Sequence, residues 1–257
     1  TKDIYIGGLA GLADGSVDVI SSYAKVKLTT TGSNANAGGI FGKGSNVILK
    51  NSHAETTAKT SGDSTFVGGL VGVTEATDSI TKCYSEGTLS ATGAKSYVGG
   101  LVGINKSEGL IENCYSIADA TSTLYAAGLV AYNYGKVSNS YSKGNVNSEF
   151  YGAGVVGYND GAKATVNNLV AGNPQVNVTD KSGWSIRVLG GFKNGAAQPG
   201  ENNYALSTMI LSVNGVPKKV TDNILDGYAK TEDELKSEAT YEKLGWSFSR
   251  VWKIEEG

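Results

Sequence analysis

The block Gly-Gly-Leu-Val-Gly stands at residues 68–72 and again at 99–103, and variants of it stand at 7–11, 38–42, 127–131, 153–157 and 190–192. With the second glycine of each block as marker, the positions are 8, 39, 69, 100, 128, 154 and 191, a period of 26 to 31 residues with one longer interval. A second motif keeps the same beat: ITKCYS at 80–85 returns as LKNSHA at 49–54, IENCYS at 111–116 and VSNSYS at 137–142. Self-similarity at a fixed period of this length means stacked units, none of which can bury its apolar face alone.

Each unit offers three strand-like pieces. The first is aromatic-Val-Gly-Gly-Leu-Val-Gly, the second is the Ile-x-Asn-Cys-Tyr-Ser type, and the third is a Thr-rich run such as 87–92 or 144–148. Turn residues follow the first piece at Asp14-Gly15, Gly44-Ser45-Asn46, Glu108-Gly109, Tyr134-Gly135 and Asp160-Gly161. Short strands at regular spacing, with no helical periodicity between them, predict an all-β parallel β-helix, or solenoid, of about six to seven coils. The general rule for parallel crossovers makes it right-handed. Glycine at 36 of 257 residues with only 3 prolines suits many close backbone approaches and argues against a disordered linker.

Aligned columns sharpen the expectation. The residue after the second glycine is always apolar (Leu9, Ile40, Leu70, Leu101, Leu129, Val155), and so is the start of the second piece (Val19, Leu49, Ile80, Ile111, Val137, Val166). These two columns are the expected core, while Lys50, Thr81, Glu112 and Ser138 share an outward one. Cys83 and Cys114, one period apart, stand in a column with Ser22, Ser52 and Ser140. Parallel side chains about 4.8 Å apart make a disulfide awkward, so a column of small buried groups is expected.

Two aromatic columns remain. One holds Tyr5, Asn36, Phe66, Tyr97, Tyr125 and Tyr151; the other holds Tyr23, His53, Tyr84, Tyr115 and Tyr141, with Val170 departing and Tyr204 resuming. Alternation from the Cys/Ser column sends the second of these outward, although the bend at Asn51, Lys82, Asn113 and Asn139 is a place where the phase can shift. An outward tyrosine stripe serves either as a stacking platform for a glycan or protein partner or as a packing ladder that binds nothing.

From residue 207 the composition changes. Asn214-Gly215 between 209–213 and 216–220 predicts a hairpin, and Thr231 with Glu234 predicts a capping box opening a helix over 232–243, ended by Gly245. Trp246, Phe248, Val251 and Trp252 follow. The expected organisation is a repeat β-helix over 1–206 and a capping hairpin-plus-helix over 207–257 that covers the last coil.

The repeated Gly-Gly-Leu-Val-Gly with Asn-Cys-Tyr-Ser resembles the GLUG repeat, and Leu-Gly-Trp-x-Phe-x-x-x-Trp-x-Ile at 244–254 resembles the segment that follows such arrays. The resemblance covers nearly the whole chain, most tightly residues 1–160. It implies a β-helix on an exported bacterial surface protein, such as an adhesin or a non-catalytic part of an immunoglobulin A metallopeptidase. It carries no catalytic residue. Ala127, Ala131 and Ala153 for glycine, His53 for Tyr and Val170 for Tyr are the departures.

Chemistry is sparse. The glycine blocks lack the following helix and Lys-Ser/Thr of a phosphate loop, and they lack the aspartates of calcium-binding nonapeptide rolls. His53 is the single histidine, which leaves no conventional catalytic triad or metallopeptidase motif. Glu55 and Glu86, one period apart, could form a glycosidase-like pair, but Lys25, Ile117 and Lys143 fill that column elsewhere, as on a solvated face. The net charge of −2 without charge blocks points to no nucleic acid, and no apolar run is long enough to span a membrane.

The expectation is therefore a monomeric, non-enzymatic surface module with no cofactor, metal or catalytic residue. It would be excised from a longer exported protein and extracellular or cell-surface. Its candidate ligand column is Tyr23, His53, Tyr84, Tyr115 and Tyr141, and its partner is a host or bacterial surface protein or glycan. The alternatives are a carbohydrate-binding or polysaccharide-processing β-helix and a purely structural stalk.

Overall fold

The computed structural model describes residues 3–75, 77–193 and 202–254. Part of the irregular coil expected over 173–206, and the Glu-Glu-Gly ending, lie outside the described residues. The chain is a parallel β-solenoid. One sheet stacks seven strands in chain order: Ile4–Gly7, Ala35–Gly38, Phe66–Gly68, Tyr97–Gly99, Tyr125–Ala127, Tyr151–Ala153 and Trp184–Ile186. The register repeats coil by coil, with Phe66 beside Tyr97 and Gly68 beside Gly99.

The glycine block turns a corner in its middle. Strands resume at Phe41–Lys50, Val71–Thr74, Val102–Asn105, Val130–Asn133 and Val156–Asn159 on the second sheet. The single first piece expected from the sequence is thus two strands on two sheets. The corner is where coils come closest: a Cβ on the second glycine would lie 2.2 Å from the next coil's carbonyl oxygen at both Gly39 and Gly69. That carbonyl also receives a bond from the second motif, since Ser85 Oγ donates to Gly100 O at 2.6 Å and Ser142 Oγ to Gly154 O at 2.6 Å. The two sequence motifs are therefore two halves of one inter-coil contact.

The expected core columns are buried from the second coil onward, Ile40, Leu70, Leu101, Leu129 and Val155 on one side and Leu49, Ile80, Ile111, Val137 and Val166 on the other. Each such side chain contributes about 1.5–3 kcal/mol of burial. Leu9 departs from its column: it is 62% exposed, as are Leu12 and Ile20 in part, because the first coil is covered on one side only. Inside the solenoid, amide side chains form a continuous chain. Thr74 Oγ1 donates to Asn105 Oδ1 (2.8 Å), Asn105 Nδ2 to Asn133 Oδ1 (2.8 Å) and Asn133 Nδ2 to Asn159 Oδ1 (2.7 Å). Every link satisfies a polar group that would otherwise be buried at a cost.

The last coil corrects the sequence alignment. Trp184 pairs with Tyr151 and Ile186 with Ala153, so Arg187, not Gly191, stands where Gly154 stands one coil earlier. Parallel pairing then runs past residue 207: Ile210–Val213 lies beside Gln175–Val178, and Tyr228–Lys230 beside Tyr204–Leu206. The Asn214-Gly215 hairpin forms, with both residues at positive φ (51° and 73°) and Val213 paired antiparallel to Val216. Val220 and Leu225 pack against the end of the core.

The helix expected over 232–243 is two short turns, Glu232–Leu235 and Glu238–Glu242. The capping box at Thr231 and Glu234 is present. The break has a local cause: the Leu235 carbonyl, which a continuous helix would offer to the Ala239 N–H, accepts the Tyr241 hydroxyl at 2.7 Å. The tail also lies elsewhere than expected. Leu244 and Trp246 pack on Val170, Tyr141 and Tyr204, on the flank of the solenoid, leaving residues 209–230 to cover its end.

Candidate functional site

The outward ladder is built by a corner that the chain repeats in every coil. Ser21, Asn51, Lys82, Asn113, Asn139 and Asn168 all have left-handed backbone, with φ between 49° and 57°, a conformation that asparagine tolerates better than most residues. The corner absorbs one residue, so Leu49 and Ser52, on either side of it, both face inward. The Cys/Ser column is accordingly inward: Ser52, Cys83, Cys114 and Ser140 are buried, and the two cysteines are free thiols. Their role is to receive backbone donors that the corner leaves over. Ser22 N–H donates to Ser52 Oγ (3.0 Å), Ser52 N–H to Cys83 Sγ (3.4 Å) and Cys114 N–H to Ser140 Oγ (3.0 Å).

The next residue points out, and there the rings stack. Centroids are 4.5 Å apart for Tyr23–His53, 4.4 Å for His53–Tyr84, 4.7 Å for Tyr84–Tyr115 and 4.8 Å for Tyr115–Tyr141. The last two pairs are parallel to within 2°. This spacing is that of neighbouring strands, so in-register coils impose it, and each pair adds about 0.5–1.5 kcal/mol beyond its burial. Stacking has a functional consequence. The interior rings spend both faces on each other and present only edges and hydroxyls; Tyr23, 54% exposed, is the open end.

At Val170 the ladder loses its ring, and the tail docks there. Leu244 and Trp246 seal over Val170, and Trp246 Nε1 donates to Asn168 O at 3.1 Å. Trp246 in turn stacks on Trp252 (4.6 Å, 24°). Of the five candidate residues, Tyr23, His53 and Tyr84 lie along the open flank, while Tyr115 and Tyr141 lie beside Trp252 (6.4 and 5.6 Å). Between tail and ladder is a cleft of about 450 Å³ lined by Lys82, Asn113, Tyr115, Tyr141, Trp252 and Lys253, among others. The sequence reading did not single out Lys82, Asn113 or Lys253 as ligand contacts. The signal was the periodic corner position, which places Lys82 and Asn113 one coil apart.

Burial pushes the Tyr115 hydroxyl up to about 12, and that of Tyr141 higher still. A pKa raised on folding stabilises the fold below the unfolded value, and that stabilisation is lost as pH rises through the folded value. In an alkaline titration, tyrosines on the open surface are expected to ionise near their ordinary value of 10.0, and Tyr115 only near 12, together with loss of native tryptophan fluorescence. All tyrosines ionising together near 10.0 with fluorescence intact would contradict a docked tail.

The other aromatic column is also stacked: Phe66–Tyr97, Tyr97–Tyr125, Tyr125–Tyr151 and Tyr151–Trp184 lie 4.8–5.5 Å apart. Tyr132 and Tyr158, which the sequence reading missed, pack beside it, Tyr132 edge-on to Tyr125 at 5.6 Å. They occupy the same offset in consecutive coils. Glu55 and Glu86 are register partners, but Glu55 is held by Lys25 Nζ at 2.8 Å and by the Tyr23 hydroxyl at 3.3 Å. The Lys25 ammonium lowers its pKa. Among the described residues no three His, Cys, Asp or Glu side chains gather as metal ligands, and no helix is long and apolar enough to cross a membrane.

Fold and flank together define a parallel β-solenoid whose outward surface is a set of side-chain ladders. More particularly, the chain carries the GLUG motif: the sequence model of that family matches residues 95–121, the coil from Tyr97 through Cys114 and Tyr115. A crystal structure from Bacteroides ovatus, named a "putative immunoglobulin A1 protease", is similar with a TM-score of 0.61. The match covers 91% of this chain and 81% of that one at 17% identity, a likeness of fold alone. No curated protein sequence matches the chain.

Proposed function

We propose that the chain is a non-catalytic, ligand-binding module of an exported bacterial protein, working at the cell surface or outside the cell. The observation that carries this reading is the state of its one paired carboxylate column. Glycoside hydrolysis needs one carboxyl raised in pKa to serve as acid, whereas Glu55 is neutralised and lowered by Lys25. The remaining outward columns are hydroxyl-bearing rings and small polar groups, which suit recognition. The GLUG motif at 95–121 supports the same reading.

The test is a binding screen of the intact chain against arrayed glycans and extracellular-matrix proteins, with the same samples assayed for reducing ends and unsaturated products. Saturable binding without products is the expected result. Products that vanish in Glu55→Gln or Glu86→Gln would replace this reading with a polysaccharide-processing enzyme. Silence in both channels would leave a spacer.

A further inference from the structure

We infer that the cleft between the ladder and the C-terminal tail is a binding site for an acidic saccharide. The inference deepens the ligand-binding reading above and rests on it. Four observations converge on the cleft. Its volume, about 450 Å³, is in the range of small-ligand sites and suits one or two sugar rings better than an extended peptide. Its walls are aromatic and meet at an angle: Trp252 lies at 50° and 51° to the Tyr115 and Tyr141 rings, so the two surfaces open as a wedge.

Polar groups converge there as well. Asn113 and the Tyr115 hydroxyl line it, and burial keeps that hydroxyl protonated and able to donate. The Trp252 indole Nε1 is buried and has no acceptor among the described residues, a cost that a ligand oxygen would relieve. The lining is also charged with one sign. Lys82 and Lys253 contribute ammonium groups, and no carboxylate lines the cleft.

Apolar faces for C–H surfaces, neutral donors for hydroxyls and two cations for an acid group make a saccharide bearing carboxylate or sulfate the fitting occupant. A peptide is disfavoured by the pairing as well as by the volume. Tyr115 and Tyr141 sit on strands already paired with each other, and no free edge is left there for an added strand.

Lys82 allows a clean test, because its corner position holds asparagine in three other coils (Asn51, Asn113, Asn139), so Lys82→Asn keeps the backbone. The probes are a galacturonate trisaccharide, a sulfated disaccharide, a neutral galactose trisaccharide and a short glutamate peptide, read by tryptophan fluorescence of the full chain. Expected are saturable binding of an acidic saccharide, weakened by salt, and a loss of roughly tenfold in affinity for each of Lys82→Asn and Lys253→Gln. The carboxylated and sulfated probes tell the two acid groups apart.

Equal binding of the neutral sugar, stronger binding of the peptide, no binding of either acidic sugar, or affinity unchanged in both variants would each overturn the inference. In all four cases a partner found elsewhere on the chain by the surface screen would leave the module reading standing. Released products would remove the module reading itself.

Discussion

Gly69→Ala is expected to cost about 4–5 kcal/mol or more, enough to prevent folding of a marginally stable domain, while Gly68→Ala one residue earlier costs about 1–3 kcal/mol. Both glycines are buried in the same block, and their added Cβ atoms would strike carbonyl oxygens at similar distances. Which oxygen is struck decides the outcome. At Gly68 it is Val71 O, at 2.0 Å, within the same corner. That corner can open slightly, as the chain itself shows by carrying buried alanines at the equivalent Ala127 and Ala153.

At Gly69 the oxygen is Gly100 O, at 2.2 Å, in the next coil, with Ser85 Cβ at 2.5 Å on the other side. Gly100 O is held by Gly69 N–H (3.1 Å) and Ser85 Oγ (2.6 Å), so displacing it breaks both bonds. The second glycine is retained in every coil from Gly8 to Gly154, as this geometry demands. Coils in a solenoid contact only their neighbours, so the damage centres on the third and fourth coils. Urea denaturation followed by circular dichroism measures both variants, and equal losses would show that the neighbouring carbonyl is not the barrier.

The same geometry explains what the sequence disclosed. Where a coil has a neighbour on both sides, close approach demands glycine, the corner favours asparagine and the interior demands apolar columns, so coils two to five could be read from spacing. At the ends those demands lapse. Leu9 keeps its column identity but is not covered, because periodicity records what a residue is and not what lies above it. In the last coil nothing has to approach as closely, and the Gly190-Gly191 pair therefore misled the alignment while Trp184, on Tyr151, carried the true register.

The placement of the tail was illegible for a further reason. Trp246 and Trp252 marked a buried segment, but whether it covered the end or the flank depended on Val170, a missing ring whose meaning is plain only once Leu244 and Trp246 are seen over it. For the candidate column, its membership and its outward direction could be read from alternation. The mutual covering of its ring faces follows from strand spacing, and the cleft required the tail.

Arg187 is where the stack ends, and Asp222→Ala is expected to destabilise the protein more than Arg187→Met. Arg187 stands in the register of Gly154, where a following coil would forbid a side chain. Its guanidinium donates instead to Asp222 Oδ1 (2.8 Å) and Gly227 O (2.8 Å) of the covering segment, while its backbone N–H donates to Asp226 Oδ1 (3.1 Å). The two partners of the ion pair are unequally placed: the Arg187 side chain is 4% exposed and that of Asp222 is 47% exposed.

Removing the carboxylate strands a buried cation whose Nε already lacks a partner among the described residues, which costs about 3–5 kcal/mol. Removing the cation leaves a carboxylate that water can reach and a carbonyl short of one bond, at about 1–3 kcal/mol. The guanidinium also holds the Asp222 carboxyl below its ordinary value of 3.8. A pKa lowered on folding stabilises above the unfolded value and ceases to do so as pH falls through the folded one, so the wild type should lose this contribution in acid below 3.8 and Arg187→Met should have none to lose. Thermal melting of the wild type and both variants at neutral and acid pH measures this. A larger loss in Arg187→Met than in Asp222→Ala would mean that the pair is not the contact that closes the solenoid.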